Sequence, residues 1–342
     1  LIVDKVRKVS VGSGTLSVVG NASFAVSDTI YEYNGSIQIG GDLAVESGEL
    51  ELYRESRTVV EGNFLLSGTG SINTESRSDN PQLTVGGDFE VSTASKSAFN
   101  QGTLTVGGDL IQTEEAAEDS LYTGYYYRVV FNGESPQKLE LSHPETSYLG
   151  SLDFRQSAGT AVPEEIHGYD MKGFSQIEAG EKLKLYMTRM SMSQDETVIC
   201  NQVEFLSGVI WMNNYHLDIQ GNLRVDGVSS IMVDKGKIDV SGDAFFAISD
   251  SVSTSNGIIQ IGGDMYLEGG ALEMREDSKV GIRGDFCLRG TGLLYTSLYS
   301  GNPQLTVGGD FEVSTASKSA FNQGTLTVGG DLIQTEEAAE DS

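Results

Sequence analysis

Hydrophobic and polar residues alternate along most of the chain, and glycines interrupt the alternation at short intervals. In the segment TLTVGGDLIQT, Leu104, Val106 and Leu110 share one face, whereas the threonines between them face the other way. An alternation with a period of two residues predicts β-strands that bury one face. Helical spacing is almost absent, which excludes the repeat folds that contain helices.

A glycine followed by Asp or Asn marks a repeat of about 21 residues. These pairs are Gly20-Asn21, Gly41-Asp42, Gly62-Asn63, Gly87-Asp88, Gly108-Asp109, Gly221-Asn222, Gly242-Asp243, Gly263-Asp264, Gly284-Asp285, Gly309-Asp310 and Gly330-Asp331. A period of about 20 to 50 residues is typical of a solenoid, in which each turn buries its apolar face against its neighbours. The sequence therefore predicts an all-β fold, a parallel β-helix or β-solenoid of about 21 residues per turn.

Each turn is predicted to contain three short strands. In the segment 40–63 their inward residues are Leu43 and Val45, then Leu50 and Leu52, then Thr58 and Val60. The aligned residues, 222 positions later, are Met265, Leu267, Leu272, Met274, Val280 and Ile282. Exchange between apolar residues of similar volume is the behaviour of equivalent core sites.

A longer repeat contains the short one. A shift of 222 residues aligns 1–120 with 223–342 without a gap, and 80–120 returns unchanged as 302–342. The middle segment, 121–222, occurs once, alternates less regularly and contains Pro163, so we expect a protruding loop or a distorted turn there. Its length is close to a whole number of turns, so we expect one continuous rod with regular turns in 1–120 and 223–342.

The formal net charge of -27 excludes a surface that follows a phosphate backbone, because nucleic-acid binding depends on Lys and Arg. No apolar run approaches the roughly 18 residues of a membrane-spanning helix, so we expect neither nucleic acid nor membrane insertion. The two cysteines, Cys200 and Cys287, lie in alternating apolar runs and are expected to be small buried residues.

The Gly-Asp corners have two interpretations. In the structural one, glycine permits a positive φ, and the Asp or Asn side chain accepts hydrogen bonds from backbone N–H groups just beyond it. The other is a calcium site, although the glycine-rich calcium repeat has a different spacing of about nine residues. The weak calcium candidates are Asp42, Asp88, Asp109, Asp264, Asp310 and Asp331.

Residues suited to catalysis are few. The sequence has no Gly-x-Ser-x-Gly elbow, no His-Glu-x-x-His helix and no Cys-x-x-Cys pair. Two acidic pairs remain as alternatives, Glu164 and Glu165 near His167, and Asp195 with Glu196, although solvated surface positions explain both. We therefore expect no enzyme activity, no catalytic residue and no cofactor.

The run YTGYYYR contains four candidate glycan contacts, Tyr122, Tyr125, Tyr126 and Tyr127. Exposed tyrosine faces suit the C–H groups of sugar rings. The alternative is a strand in which alternate tyrosines cover the core.

A family resemblance is visible in three segments, GVIWMNNYHLDIQGNLRV, GTLTVGGDL and VVFNGESPQKLEL. They resemble the repeats of giant bacterial surface adhesins and extracellular fibres with β-solenoid shafts, filamentous-haemagglutinin-like in broad class. The resemblance covers nearly the whole chain through composition and period. It implies secretion to the cell surface, a repeated rod that carries a binding tip, and no cofactor.

The sequence therefore favours a structural role, as a repeat of a bacterial extracellular fibre or adhesin stalk. Its expected partners are neighbouring copies of the same repeat, stacked head to tail, with host or bacterial surface glycans as a further possibility. The alternative is a β-helix that binds or cleaves carbohydrate, like a tail spike or a lyase, with its site near 121–222.

Overall fold

The computed structural model describes residues 1–74, 80–155, 158–173, 175–296, 301–335 and 338. Every regular element in these ranges is a β-strand, which confirms the all-β prediction. A search of the same ranges finds no helix that is long and apolar enough to span a membrane. Two compact units make up the chain, Leu1–Asp170 and Met171–Ser342, and each is a parallel β-solenoid.

The strands of the first unit are short, and most have four to twelve residues. They are β1 (Ile2–Asp4), β2 (Val9–Gly12), β3 (Thr15–Val18), β4 (Ala22–Tyr33), β5 (Ser36–Ile39), β6 (Leu43–Tyr53), β7 (Arg57–Val60), β8 (Phe64–Asn73), β9 (Gln82–Val85), β10 (Phe89–Thr93), β11 (Phe99–Val106), β12 (Leu110–Gln112), β13 (Thr123–Phe131), β14 (Gln137–Leu141), β15 (Leu149–Phe154) and β16 (Thr160–Ala161). The next strand, β17 (Glu165–Lys172), contains the boundary between the units.

The second unit repeats this arrangement. Its strands are β18 (Gln176–Glu178), β19 (Lys182–Ser191), β20 (Glu196–Phe205), β21 (Gly208–Trp211), β22 (His216–Asp226), β23 (Val228–Asp234), β24 (Lys237–Val240), β25 (Ala244–Ser255), β26 (Ile258–Ile261), β27 (Met265–Arg275), β28 (Lys279–Ile282), β29 (Phe286–Gly290), β30 (Leu293–Thr296), β31 (Gln304–Val307), β32 (Phe311–Thr315), β33 (Ala320–Phe321), β34 (Thr325–Val328) and β35 (Leu332–Gln334).

Parallel pairing joins each strand to the strand one turn later in the chain. In the first unit Leu43 pairs with Ala22 on one side and with Phe64 on the other. In the second unit Ala244 lies between Leu223 and Met265 in the same way. These partners are 21 residues apart, so the predicted turn length is confirmed.

The three predicted groups of inward residues are present in each turn, but the first two groups belong to one bent strand. Strand β6 contains both of these groups and changes direction at Gly48, whose φ is +84°. The equivalent strand β27 bends at Gly270, whose φ is +71°. All twelve side chains predicted to face inward in the two copies are buried.

Apolar side chains from successive turns stack in columns inside each unit, because parallel pairing places equivalent inward positions directly above one another. In the first unit the Phe64 and Phe89 rings meet edge to face at 5.2 Å between centroids. In the second unit Phe286 and Phe311 stack with centroids 4.9 Å apart. Such aromatic pairs add to the stabilisation that burial alone provides.

The middle segment keeps the inward alternation. Its five predicted apolar positions, Val130, Leu139, Leu141, Leu149 and Phe154, are all buried. Strands β16 and β18 have only two and three residues. The predicted loop or distorted turn also includes positions 156, 157 and 174, which lie outside the described residues.

Candidate functional sites at the corners and on the tyrosine surface

A ladder of side-chain hydrogen bonds connects the Gly-Asp and Gly-Asn corners, and we call it the corner ladder. At each step the Oδ1 atom of one corner residue accepts the backbone N–H of the corner residue one turn later, with N···O distances from 2.7 to 3.0 Å. The first unit contains Asn21, Asp42, Asn63, Asp88, Asp109 and Lys138, and the second contains Asn222, Asp243, Asp264, Asp285, Asp310 and Asp331. The predicted bond to a backbone N–H is confirmed, but it links two turns.

The predicted reason for the corner glycines is wrong. None of the glycines in these pairs has a φ in the left-handed region. Instead, a Cβ atom on any of nine of them would lie between 2.0 and 2.4 Å from the Oδ1 atom of the preceding corner residue. The nine are Gly41, Gly62, Gly87, Gly108, Gly242, Gly263, Gly284, Gly309 and Gly330. Glycine is required because the carboxylate or amide oxygen of the preceding turn occupies the space of a side chain.

The corner ladder contains all six calcium candidates, Asp42, Asp88, Asp109, Asp264, Asp310 and Asp331. One oxygen of each candidate is already bonded to a backbone N–H of the next turn wherever a further corner follows. Among the described residues, no group of three or more His, Cys, Asp or Glu side chains is placed to hold a metal ion. The ladder geometry is therefore that of a backbone cap.

A second set of corners was missed by the sequence analysis. Non-glycine residues with positive φ occupy it, namely Asn34, Arg54, Asn213, Asn214, Asp234, Asn256 and Glu276. Here too a side chain bonds to the next turn, since Asn34 Oδ1 accepts the Glu55 N–H at 3.3 Å and Asn256 Oδ1 accepts the Asp277 N–H at 3.3 Å. The signal was the frequency of Asn and Asp, which tolerate the left-handed conformation better than other side chains.

The tyrosine surface consists of Tyr122, Tyr125 and Tyr126, whose side chains are exposed on the first unit. Tyr126 is the most open, with 70% of its surface exposed, and its ring meets that of Tyr125 edge to face at 4.5 Å between centroids. The Tyr125 hydroxyl donates to the Tyr169 hydroxyl at 2.6 Å, which fixes the orientation of the Tyr125 ring. Tyr169 therefore belongs to this surface, although the sequence analysis did not identify it.

The fourth candidate, Tyr127, is a core residue and cannot contact a glycan. Only 1% of its surface is exposed, and its ring packs 5.1 Å from that of Phe99 between centroids. Burial raises the pKa of the Tyr127 phenol well above its usual range. The alternation within β13 explains the difference, because Tyr126 and Tyr127 point to opposite faces of the strand.

Tyr122 has neighbours of its own. Its ring stacks on that of Tyr148 with centroids 5.4 Å apart, and the Lys96 ammonium lies 5.3 Å from the Tyr122 centroid. Lys96 also pairs with Asp119 at 2.9 Å. An exposed aromatic side chain, a cation and a carboxylate thus lie together here, and such groups can contact the C–H faces and hydroxyls of a sugar.

The two acidic pairs considered for catalysis have separate environments. His167 Nε2 lies 2.7 Å from Glu165 Oε1 on a half-buried part of β17, and Glu164 is exposed. Asp195 is exposed and its Oδ1 accepts the His216 N–H at 2.9 Å, whereas the next residue, Glu196, is buried. Asp195 and Glu196 therefore do not face a common substrate space.

A buried carboxyl that the sequence analysis missed is Glu32. Its Oε1 accepts the Arg57 N–H at 3.0 Å, and its Oε2 accepts the Thr58 hydroxyl at 2.8 Å. Burial raises the pKa of Glu32 above its ordinary value, although these two hydrogen bonds act in the opposite direction. The sequence analysis missed Glu32 because a charged residue close to the end of a strand is expected to be exposed, so its inward position was not apparent.

Both cysteines are buried, as predicted from their apolar neighbours. Chemically, the corner ladder can hold successive turns in register, and the tyrosine surface can stack against rings.

No family model, curated protein or solved structure matches this chain.

Proposed function

We propose that the chain is a structural repeat of a bacterial extracellular fibre or adhesin stalk, which projects from the cell surface and associates end to end. The corner ladder is the observation that carries the proposal. It repeats one bond, from a backbone N–H to Oδ1, at 2.7 to 3.0 Å through most turns of both units. Because the same residue types bond each turn to the next, such a solenoid can be lengthened by further turns without a new kind of contact.

The same features give such a shaft its mechanical properties. Every turn adds about 4.8 Å of length, because neighbouring strands in a sheet are separated by that distance. Parallel strand hydrogen bonds, the corner ladder and the stacked apolar columns all resist separation of the turns. The net charge of -27 opposes side-by-side aggregation of parallel rods through mutual repulsion.

Surface labelling of the producing cells tests the location. Antibodies raised against 121–222, which occurs once in the chain, should label intact cells as strongly as lysed cells, and an external protease should remove the label. An antibody against a cytoplasmic protein is the control for cell integrity. Label that appears only after lysis would rule out a surface shaft.

A second function, glycan binding, is supported by the exposed side chains of Tyr122, Tyr125 and Tyr126. In this alternative the tyrosine surface stacks on the C–H faces of sugar rings while Lys96 and Asp119 contact hydroxyls. A glycan array with the purified chain tests binding, and a reducing-sugar assay on the bound glycans separates binding from cleavage. No retention of any glycan would remove this alternative.

A further inference from the structure

A groove of about 600 Å³ crosses five neighbouring strands on the outer face of the second unit, and we call it the strand groove. One outward residue from each of β22, β24, β26, β28 and β31 lies along it, and parallel pairing places each beside the next. In order they are Asp218, Asp239, Gln260, Gly281 and Thr306. Thr197 precedes this row and Thr327 follows it, so the groove is an internal feature of the solenoid.

Gly281 lies in the row between Gln260 and Thr306, and the fold does not require a glycine there. Its φ is outside the left-handed region, and the three atoms nearest to a Cβ atom at this position belong to the flexible amide end of Gln260. The corner glycines differ, because an oxygen held by a hydrogen bond occupies the equivalent space. A glycine inside a strand weakens the strand and often marks a place where a ligand approaches the backbone closely.

The first unit contains the same row without this glycine. Val59 has the equivalent position, 222 residues earlier, and lies between Gln38 and Thr84. These neighbours are the counterparts of Gln260 and Thr306, so a valine is compatible with the same glutamine and threonine. Valine also favours the strand more than glycine does. The second unit therefore has a weaker strand at this point, and the groove is what the missing side chain provides.

Two cations flank Gly281. Lys279 and Arg283 come two residues before and after it, line the groove and are exposed. Neither forms an ion pair with the described residues. Their Cα atoms are about 13 Å apart in an extended chain, so the two long side chains can converge above the glycine. Arg binds a carboxylate through two parallel hydrogen bonds, and the first unit has Glu61 in place of Arg283.

The rest of the row offers hydrogen-bonding groups to hydroxyls. Asp239 Oδ2 lies 2.7 Å from His216 Nε2 and 2.5 Å from Lys237 Nζ, and these contacts fix the orientation of the carboxylate. Gln260 and Thr306 add an amide and a hydroxyl on either side of the glycine. Among the described residues, no aromatic side chain lines the groove. An anion position beside donors and acceptors for hydroxyls matches the chemistry of an acidic sugar.

We propose that the strand groove binds a uronic-acid unit of an acidic glycan. The carboxylate of the sugar lies over Gly281, where Lys279 and Arg283 donate hydrogen bonds to it. The ring hydroxyls extend along the row towards Gln260 and Asp239. This site on the second unit recognises charge, whereas the tyrosine surface on the first unit recognises the faces of rings. It is also independent of the structural role, because none of the corner-ladder residues lines the groove.

Calorimetric titration of the purified chain with two tetrasaccharides tests the site. One alternates glucuronic acid with N-acetylglucosamine, and the other is the neutral tetramer of N-acetylglucosamine. The acidic sugar should bind about tenfold more tightly than the neutral one, because only its carboxylate can pair with the two cations. Equal affinity for the two sugars, or binding of neither, would overturn the proposal. Inorganic sulfate that binds as tightly as the acidic sugar would show an anion site alone and would also overturn it.

Two variants that introduce first-unit residues locate the binding. Gly281→Val should lower the affinity for the acidic tetrasaccharide about tenfold by filling the groove, while the melting temperature stays the same or rises. Arg283→Glu should lower this affinity at least as much, because a carboxylate replaces a donor. Thr84→Val, on the equivalent row of the first unit, is the matched control and should bind like the unchanged chain.

Acidic-sugar binding that survives both Gly281→Val and Arg283→Glu would contradict this site. That result would leave the structural role intact, because surface labelling tests the role separately.

Discussion

The Asp243 Oδ1 atom lies in the space that a Cβ atom on Gly263 would need, 2.0 Å from its position. The same oxygen accepts the Asp264 N–H at 2.8 Å, so it is held there by the next turn. Glycine and aspartate are therefore coupled across turns, and the Gly-Asp pair is one unit of the corner ladder. This coupling explains why the two residue types recur together.

Gly263→Ala should destabilise the second unit by about 1 to 3 kcal/mol, because the methyl expels Asp243 Oδ1 and leaves the Asp264 N–H without its acceptor. Asp243→Ala should cost less, about 1 kcal/mol, since solvent can replace the lost carboxylate. The double variant should cost less than the sum of the two changes, because the methyl then has room. Chemical denaturation of the four proteins measures this coupling. Additive losses would show that the contact is not the reason for the glycine.

The sequence pattern was sufficient for the strands and the period but not for the corners. Alternation identified Leu43, Val45 and their neighbours as inward because strand geometry has a fixed period of two. The role of Gly263 was missed because a Cβ atom there would clash with a residue 20 positions earlier. A local sequence pattern does not show which distant residues come into contact. Tyr127 was included among the glycan contacts because the sequence does not show where β13 begins, and the start of this strand decides which tyrosine faces the core.

Glu32 should make the stability of the first unit depend on pH. Its pKa is raised above 4.5 in the folded chain, chiefly by burial, so folding favours the protonated carboxyl. The stabilisation is fully present below pH 4.5 and is lost as the pH rises through the folded pKa. Relative to Glu32→Gln, which stays neutral, the unchanged chain should therefore lose unfolding free energy as the pH rises above 4.5.

Melting temperatures of the chain and of Glu32→Gln at a series of pH values test this dependence. Glu55→Gln is the control, because Glu55 is an exposed glutamate of the same unit. The comparison with Glu32→Gln cancels the change in repulsion that affects the whole acidic chain. Parallel pH profiles for the chain and Glu32→Gln would show that this carboxyl does not contribute.

Tyr126→Ala and Tyr127→Ala should separate binding from packing on adjacent residues. Tyr126 is exposed, so its removal should change stability by no more than about 0.5 kcal/mol while it weakens any glycan retention. Tyr127 is buried against Phe99, so its removal should cost about 3 to 5 kcal/mol. Denaturation midpoints and glycan-array signals, measured on both variants, give the two readouts. Unchanged glycan retention in Tyr126→Ala would exclude this ring from the contact.

Leu110→Ala and Leu332→Ala place one substitution in two copies of an identical sequence. Leu110 is fully buried between Phe89 and Leu139, so its truncation should destabilise the first unit by about 2 to 5 kcal/mol through loss of apolar contact and creation of a cavity. Leu332 is mostly exposed, so dilute Leu332→Ala should lose no more than about 0.5 kcal/mol. Denaturation at low protein concentration measures this difference. Because local sequence is the same, the contrast depends only on whether another turn covers the leucine. Equal losses in the two variants would show that coverage by a further turn does not set the cost of truncating this leucine.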